Sequence, residues 1–236
     1  MHTSHALEST RTAPMTEHTP VRRRRHTGSS GSRRAPAAEV PSTIWASGTD
    51  PIDPTDQWPT PIVSRAVTEF SRPGDQVLLA PPASTAPDTP FPTPDTADVL
   101  AVIDSLGRDS LIERPDAHQH RPPHEGAVAL VLASLLAPEA TSPSAVDEIV
   151  ALAATRLNPG GVLVVFTRCT HTRDGVLLDP TGWTVAAGQA ADLLFLQHIV
   201  AVPIAGDTVA APGLDNTGHA RTHSIVHTDI TVLLRP

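Results

Sequence analysis

The chain contains no lysine and no tyrosine, one cysteine and only 3% aromatic residues among its 236 positions. A single cysteine, Cys169, excludes an internal disulfide, which fits a reducing compartment and makes the cytoplasm the expected location. The longest apolar run, Ala127–Ala137, falls far short of the roughly 20 residues that a membrane helix needs. Residues 1–40 lack an apolar core segment, so Arg22–Arg25 does not read as part of a secretion signal. No P-loop, serine-centred elbow or glycine-rich dinucleotide fingerprint is present. No period of 20–50 residues recurs, which excludes a repeat architecture.

What the chain does have is proline, 25 residues of it, and 39% hydrophobic residues, enough for one α/β core with long irregular connections. The net charge of -8 is unevenly placed. Residues 1–40 hold seven arginines against three glutamates, so they carry +4 and the remainder carries −12. That first segment has few large apolar side chains, cannot bury enough surface to offset its ordering entropy, and reads as a disordered tail of Arg, Ser, Thr and Pro. Arg22–Arg25 could contact nucleic acid or be a solvated tail; the solvated tail is favoured, because a body this acidic repels a phosphate backbone.

Residues 41–236 read as one domain. Thr60-Pro61 looks like an N-cap followed by proline at the first helical position, and Ile62, Val63, Ala66, Val67 and Phe70 share one helical face. Arg72–Asp75 turns into a short buried strand, Val77–Leu79. A loop from Pro81 to Pro94 leads to a second helix through Val99, Ile103 and Leu106, then a strand at Ser110–Glu113. After a polar loop, Val128–Leu132 is a continuous apolar run, as in a parallel strand covered on both faces. A helix through Val146, Ile149, Val150, Ala153 and Leu157, capped by Ser142 or Ser144, precedes the strongest strand, Val162–Phe166. Asp179-Pro180 opens a last helix with Trp183, Ala186, Ala187 and Ala190 as its buried face; Leu194–Val202 and Ile225–Leu234 close the chain as strands. The alternation predicts an α/β, Rossmann-like three-layer sandwich with a mostly parallel sheet and an antiparallel C-terminal edge pair.

Several of these stretches resemble class I S-adenosylmethionine-dependent methyltransferases. Leu157-Asn158-Pro159-Gly160-Gly161-Val162-Leu163-Val164-Val165 is similar to the segment that joins the fourth helix of that family to its fifth strand. Arg72-Pro73-Gly74-Asp75-Gln76-Val77-Leu78 resembles the approach to the first strand in the DNA amino-methyltransferase branch, and Leu106-Gly107-Arg108-Asp109 followed by Glu113 resembles the approach to the second strand's end. Thr167-Arg168-Cys169 through Asp179-Pro180, and Gln197–Ala201, look like the C-terminal half of actinobacterial members. The likeness spans roughly residues 44–236. It implies S-adenosylmethionine as cofactor, held near Ala83, Ser84 and Glu113, with Glu113 accepting from ribose hydroxyls, and Ser134 at the polar first position of the catalytic loop.

The departures bear directly on function. Where the family has a glycine-rich cofactor loop after an acidic residue, this chain has Leu79-Ala80-Pro81-Pro82-Ala83-Ser84-Thr85-Ala86-Pro87, without glycine or acid. Where the family has a Pro-Pro-aromatic catalytic loop that stacks on a flipped base, this chain has Val131–Ala137. Residues 114–126 are too few for a helix and a strand, so the third strand is expected to be missing. The expectation is a divergent methyltransferase with weak or lost catalysis. The alternatives are an active S-adenosylmethionine-dependent methyltransferase of DNA or a small molecule, and a non-catalytic binding or scaffold domain with a basic, nucleic-acid-contacting tail.

The remaining polar clusters carry less. Arg168 and His171 follow the strongest strand on the edge where open α/β sheets bind ligands, and are candidate cleft-lining groups. Cys169 beside them reads as a buried thiol before it reads as a nucleophile. His118, His120 and His124 share a polar loop of the kind that often collects histidine, and His219, His223 and His227 recur every four residues where Ile225-Val226 and Ile230–Leu234 read as strand rather than helix, so no metal site is expected.

Overall fold

The computed structural model describes residues 43–81, 93–115, 128–137, 141–172, 174–209 and 226–236. The 1–40 tail with Arg22–Arg25, the cofactor-loop positions Ala83 and Ser84, the cluster of His118, His120 and His124, and His219 and His223 lie outside the described residues.

A seven-stranded sheet organises the domain. Its strands are β1 (Ile44–Ala46), β2 (Gln76–Ala80), β3 (Asp109–Ile112), β4 (Val128–Ser134), β5 (Leu157–Thr167), β8 (Leu194–Val202) and β11 (Thr228–Leu234), in the spatial order β1-β8-β11-β5-β4-β2-β3. Two short antiparallel ribbons, β6 (Thr170–His171) with β7 (Leu177–Leu178) and β9 (Ile204–Ala205) with β10 (Thr208–Val209), lie outside it. β2 pairs in parallel with both β3 and β4, and β4 with β5. β11 runs antiparallel between β5 and β8. The predicted C-terminal antiparallel pair is β8 with β11; outside it stands β1, a strand that hydrophobic periodicity did not reveal because it has only three residues. Beyond β3 no further strand extends the sheet among the described residues.

Strict alternation splits the apolar residues of each strand between two cores. Val77, Leu79, Leu130, Leu132, Val164 and Phe166 pack under α1 (Thr60–Phe70) and α2 (Pro94–Ser105). Leu78, Ala80, Val131, Ala133, Leu163 and Val165 pack on the other face with α3 (Pro143–Arg156). Trp183 and Ala187 of α4 (Pro180–Ala190) join that second core. This is the three-layer arrangement predicted, with both sheet faces covered as parallel pairing demands. Thr93 and Ser142 cap α2 and α3, their side chains accepting from the backbone N–H of Thr96 and Ala145. α1 instead starts at Thr60, with Pro59 at the capping position and no side-chain cap. Among the described residues no helix is long and apolar enough to cross a membrane.

The last helix turns differently from the expectation. Pro180, Thr184 and Gly188 are its buried residues, while Ala186 and Ala190 are exposed. Gly188 explains the turn: a Cβ there would stand 2.8 Å from Cδ1 of the fully buried Leu233, so the bare backbone is what lets the helix settle on β11.

The Asn158-Pro159-Gly160-Gly161 stretch has a packing reason of its own. Val128 pairs with Leu157 and Leu130 with Val162, so four residues of β5 stand opposite the single Ala129. Gly160 takes up the excess at φ 81, a left-handed conformation that disfavours a side chain, and its N–H donates to Arg235 O at 2.7 Å, while Arg235 N–H donates to Gly161 O at 2.9 Å. At Gly161 a Cβ would meet backbone, 2.8 Å from Asn158 O and 3.2 Å from Ala129 O. We predict that Gly161→Ala lowers stability by about 1–3 kcal/mol, as overpacking against immovable carbonyls does, read as a lower urea midpoint at unchanged slope.

Candidate functional site

In an open parallel sheet, ligands bind outside the carboxyl ends of the strands, at the point where successive connections leave in opposite directions. Here the chain goes from β2 outward to β3 and returns to β4 on β2's other side, which puts that point between Ala80 and Ser134. Among the described residues, the β4 side of that rim is covered by the chain itself.

Ser134, the last residue of β4, is 1% exposed. Its hydroxyl donates to the carbonyl of Gln57 at 2.5 Å. Leu135 and Leu136, which follow, are buried. Gln57 belongs to residues 47–59, the connection from β1 to α1, which passes over the carboxyl ends of β4 and β5. Trp58 anchors it, buried and set edge-on to Phe166 of β5, with ring centroids 6.3 Å apart. Arg168 holds the same segment from the far end of β5. Its Nη1 donates to Pro54 O at 3.0 Å and its Nη2 to Asp56 O at 3.2 Å. Burial pushes the Arg168 guanidinium below its ordinary pKa, against the pull of Asp56 and Asp53. Asp56 moves the opposite way, its pKa raised by burial despite the Trp58 N–H and Arg168. Asp53 is lowered by the Thr55 hydroxyl and N–H bonds.

Beside this segment a cavity of about 240 Å³ opens between residues 47–62, Arg168 and Thr228. Arg168 lines this pocket and also clamps the chain that roofs the strand ends. His171 sits elsewhere: it is exposed on the β6–β7 ribbon and does not line the cavity. Glu113 follows β3 with its N–H on Leu79 O. Its carboxylate is taken up by Arg156 of α3, at 2.9 Å, with both side chains about one-tenth exposed.

A second polar cluster surrounds Asp229 at the start of β11. His198 Nε2 lies 2.9 Å from one carboxylate oxygen and His227 Nε2 lies 3.2 Å from the other. Cys169 Sγ is 3.9 Å from Asp229 Oδ2. Burial, then the negative charges of Asp229 and Asp179, push the Cys169 thiol up to about 11, so it is a protonated thiol and no activated nucleophile. Among the described residues no group of three His, Cys, Asp or Glu side chains could hold a metal ion.

Sequence reasoning missed the crossing segment. The available signal was placement of tryptophan: Trp45 and Trp58, two of only three in the chain, flank a Pro- and Asp-rich stretch that has no helical or strand periodicity of its own.

No family model matches the chain, and no curated protein matches it. Among solved structures the fold is similar to several methyltransferases. Geranyl diphosphate C-methyltransferase from Streptomyces coelicolor A3(2), solved with Mg2+, geranyl diphosphate and S-adenosyl-L-homocysteine, is 13% identical at a TM-score of 0.43, covering 73% of this chain and 77% of that one. A SAM-dependent methyltransferase from Methanosarcina mazei is 7% identical at 0.40, covering 72% and 96%. Aeropyrum pernix fibrillarin, with natively bound S-adenosyl-L-methionine, is 14% identical at 0.37, covering 73% of each chain. The likeness is one of fold: a Rossmann-like α/β sheet whose order is set out above.

Two outcomes follow from this geometry. Arg168→Met should cost about 2 kcal/mol, since two carbonyls lose a charged donor while a desolvated cation is removed, and should speed amide exchange across residues 53–58; chemical denaturation and hydrogen exchange read both. Cys169 should react with iodoacetamide at pH 8 roughly a hundredfold more slowly than an ordinary thiol, and Asp229→Asn should speed it. An alkylation rate that levels off near pH 8.5 would contradict that assignment.

Proposed function

We propose that this chain is a methyltransferase-fold protein that binds through its carboxyl edge and no longer transfers methyl groups. One observation carries the reading: Ser134, at the position the family resemblance assigns to the amine-accepting group, is sealed under the Gln57 carbonyl and faces no substrate space. Fold alone does not bring activity; the site has to supply it.

The described residues also do not fit the sulfonium nucleoside. Glu113, which would accept from ribose hydroxyls, has its carboxylate on Arg156. Pro81, immediately after β2, offers no N–H to a ligand carboxylate, and no glycine stands between Leu79 and Pro87. The order of the Gly-Asp, Leu-Gly-Arg and Asn-Pro-Gly-Gly stretches supports descent from the DNA amino-methyltransferase branch, and the lone thiol supports residence in the cytoplasm.

The retained switch point between β2 and β4 favours a second reading, an active S-adenosylmethionine-dependent methyltransferase acting on DNA or a small molecule. Calorimetric titration of the full chain with S-adenosylmethionine and S-adenosylhomocysteine separates the two. The expected result is no saturable heat up to about 1 mM ligand, where even a weak site worth about 4 kcal/mol would show. Saturable binding together with methyl transfer that Ser134→Ala abolishes would overturn the proposal in favour of the enzyme.

A further inference from the structure

The two outer edges of the seven-stranded sheet are built differently. β3 forms one of them; it begins on the exposed Asp109 and runs directly into Glu113 and Arg114. Charges along an edge keep it from pairing with another chain. The other edge belongs to β1 and β8. β1 covers β8 only from Val200 to Val202. The first half of β8 carries β11 on its inner side and, among the described residues, no strand on its outer side.

That uncovered half is apolar. Leu194, Phe195 and Leu196 are 52%, 42% and 48% exposed, three large side chains in succession. No Asp, Glu or Arg stands between Leu193 and Gly206, in a chain whose net charge is -8. The backbone is open as well. Val200 N–H donates to Thr43 O, and Val202 O accepts from Ser47 N–H. Backbone groups point to alternate sides of a strand, so the N–H and C=O of His198 face the same way as those of Val200 and Val202. A longer β1 would not complete this ladder. Thr43 and Ser47 face β8, so the next position to do so is 41, and Pro41 has no N–H to add.

An open edge of this kind takes up an extended strand. Its own copy is the strand that suits it. Two β8 strands set antiparallel about a two-fold axis bring Leu194–His198 against itself, so one apolar stretch supplies both sides of the contact. Residues 41–236 carry −12, which repels a second copy elsewhere; at this edge no carboxylate meets another. We infer that the chain forms a homodimer through the Leu194–His198 edge of β8, joining two sheets into one. From Val200 onward β1 occupies the edge and ends the ladder. The contact therefore buries less than about 1,200 Å², the range of transient complexes, and the dimer is weak and reversible. It does not depend on whether methyl transfer is retained.

Sedimentation velocity on the full chain tests the dimer. Between about 10 and 500 μM the protein should pass from monomer towards dimer, with Kd of about 100 μM. Raising NaCl from about 0.05 to about 0.5 M should tighten it, because salt screens the repulsion and not the apolar contact. Leu196→Lys sets a charge on the edge in place of a half-exposed side chain, so it should leave the thermal midpoint unchanged and weaken dimerisation at least about tenfold. Leu177→Lys, 55% exposed on the ribbon of β6 and β7, should leave the dimer intact. Amide exchange at His198 should slow as concentration rises, and in Leu196→Lys it should not. A monomer at about 500 μM overturns the inference. So does His198 exchange that is equally slow at every concentration, which would mark an edge covered by the chain's own residues, and so does equal loss of dimer in Leu177→Lys, which would mark apolar association without strand pairing.

Discussion

One buried guanidinium decides what the carboxyl edge of this sheet presents to solvent. Arg168 leaves the end of β5 and spends two of its donors on the carbonyls of Pro54 and Asp56, more than a hundred residues earlier in the chain. A charge at 2% exposure is costly to desolvate, and the carbonyl bonds together with nearby carboxylates offset that cost. The connection from β1 to α1 is thereby fixed in the space above β4 and β5.

Magnitudes separate adhesion from registry in that contact. Burying Trp58 against Phe166 removes on the order of 200 Å² from water, worth up to about 5 kcal/mol, and dominates the attraction of the segment for the sheet. The Ser134 and Arg168 bonds contribute about 1–3 kcal/mol apiece and act over a fraction of an ångström. The aromatic ring holds the segment down; the polar bonds choose which carbonyls face which donors. Glu113 with Arg156 repeats the pattern at the other end of the rim, where the acid that follows β3 is paired to a helix of its own chain.

How much of this could be read in advance depends on the range of each signal. The strands β2, β4 and β5 and the helices between them were legible because local periodicity and capping reflect burial on both faces of the sheet: Val128–Leu132 and Val162–Phe166 are apolar throughout, and all of them but Ala129 are buried in one core or the other. The orientation of α4 was not legible, because Gly188 against Leu233 is a packing fact that composition cannot distinguish from a weak helix position. The strand β1 is too short for periodicity to register. The roof over Ser134 was out of reach for a different reason. Its contacts join residues 77 and 112–114 positions apart, and nothing in the neighbourhood of Ser134 or Arg168 announces a partner at Gln57, Pro54 or Asp56.

The Asn158-Pro159-Gly160-Gly161 stretch, the most specific part of the resemblance, reports architecture. Gly160 is required by a positive φ where β5 absorbs its extra residues, and Gly161 by carbonyl oxygens that leave no space for a methyl group. Both requirements come from joining a helix to a central strand beside Arg235, and neither involves a ligand. A glycine at the cofactor loop answers to a ligand approaching the backbone, and an aromatic ring at a catalytic loop answers to a stacked base; in this chain those positions carry neither glycine nor ring. The glycines kept here are the ones that the backbone of the sheet requires. That division makes the resemblance strong as an argument about fold and weak as an argument about activity.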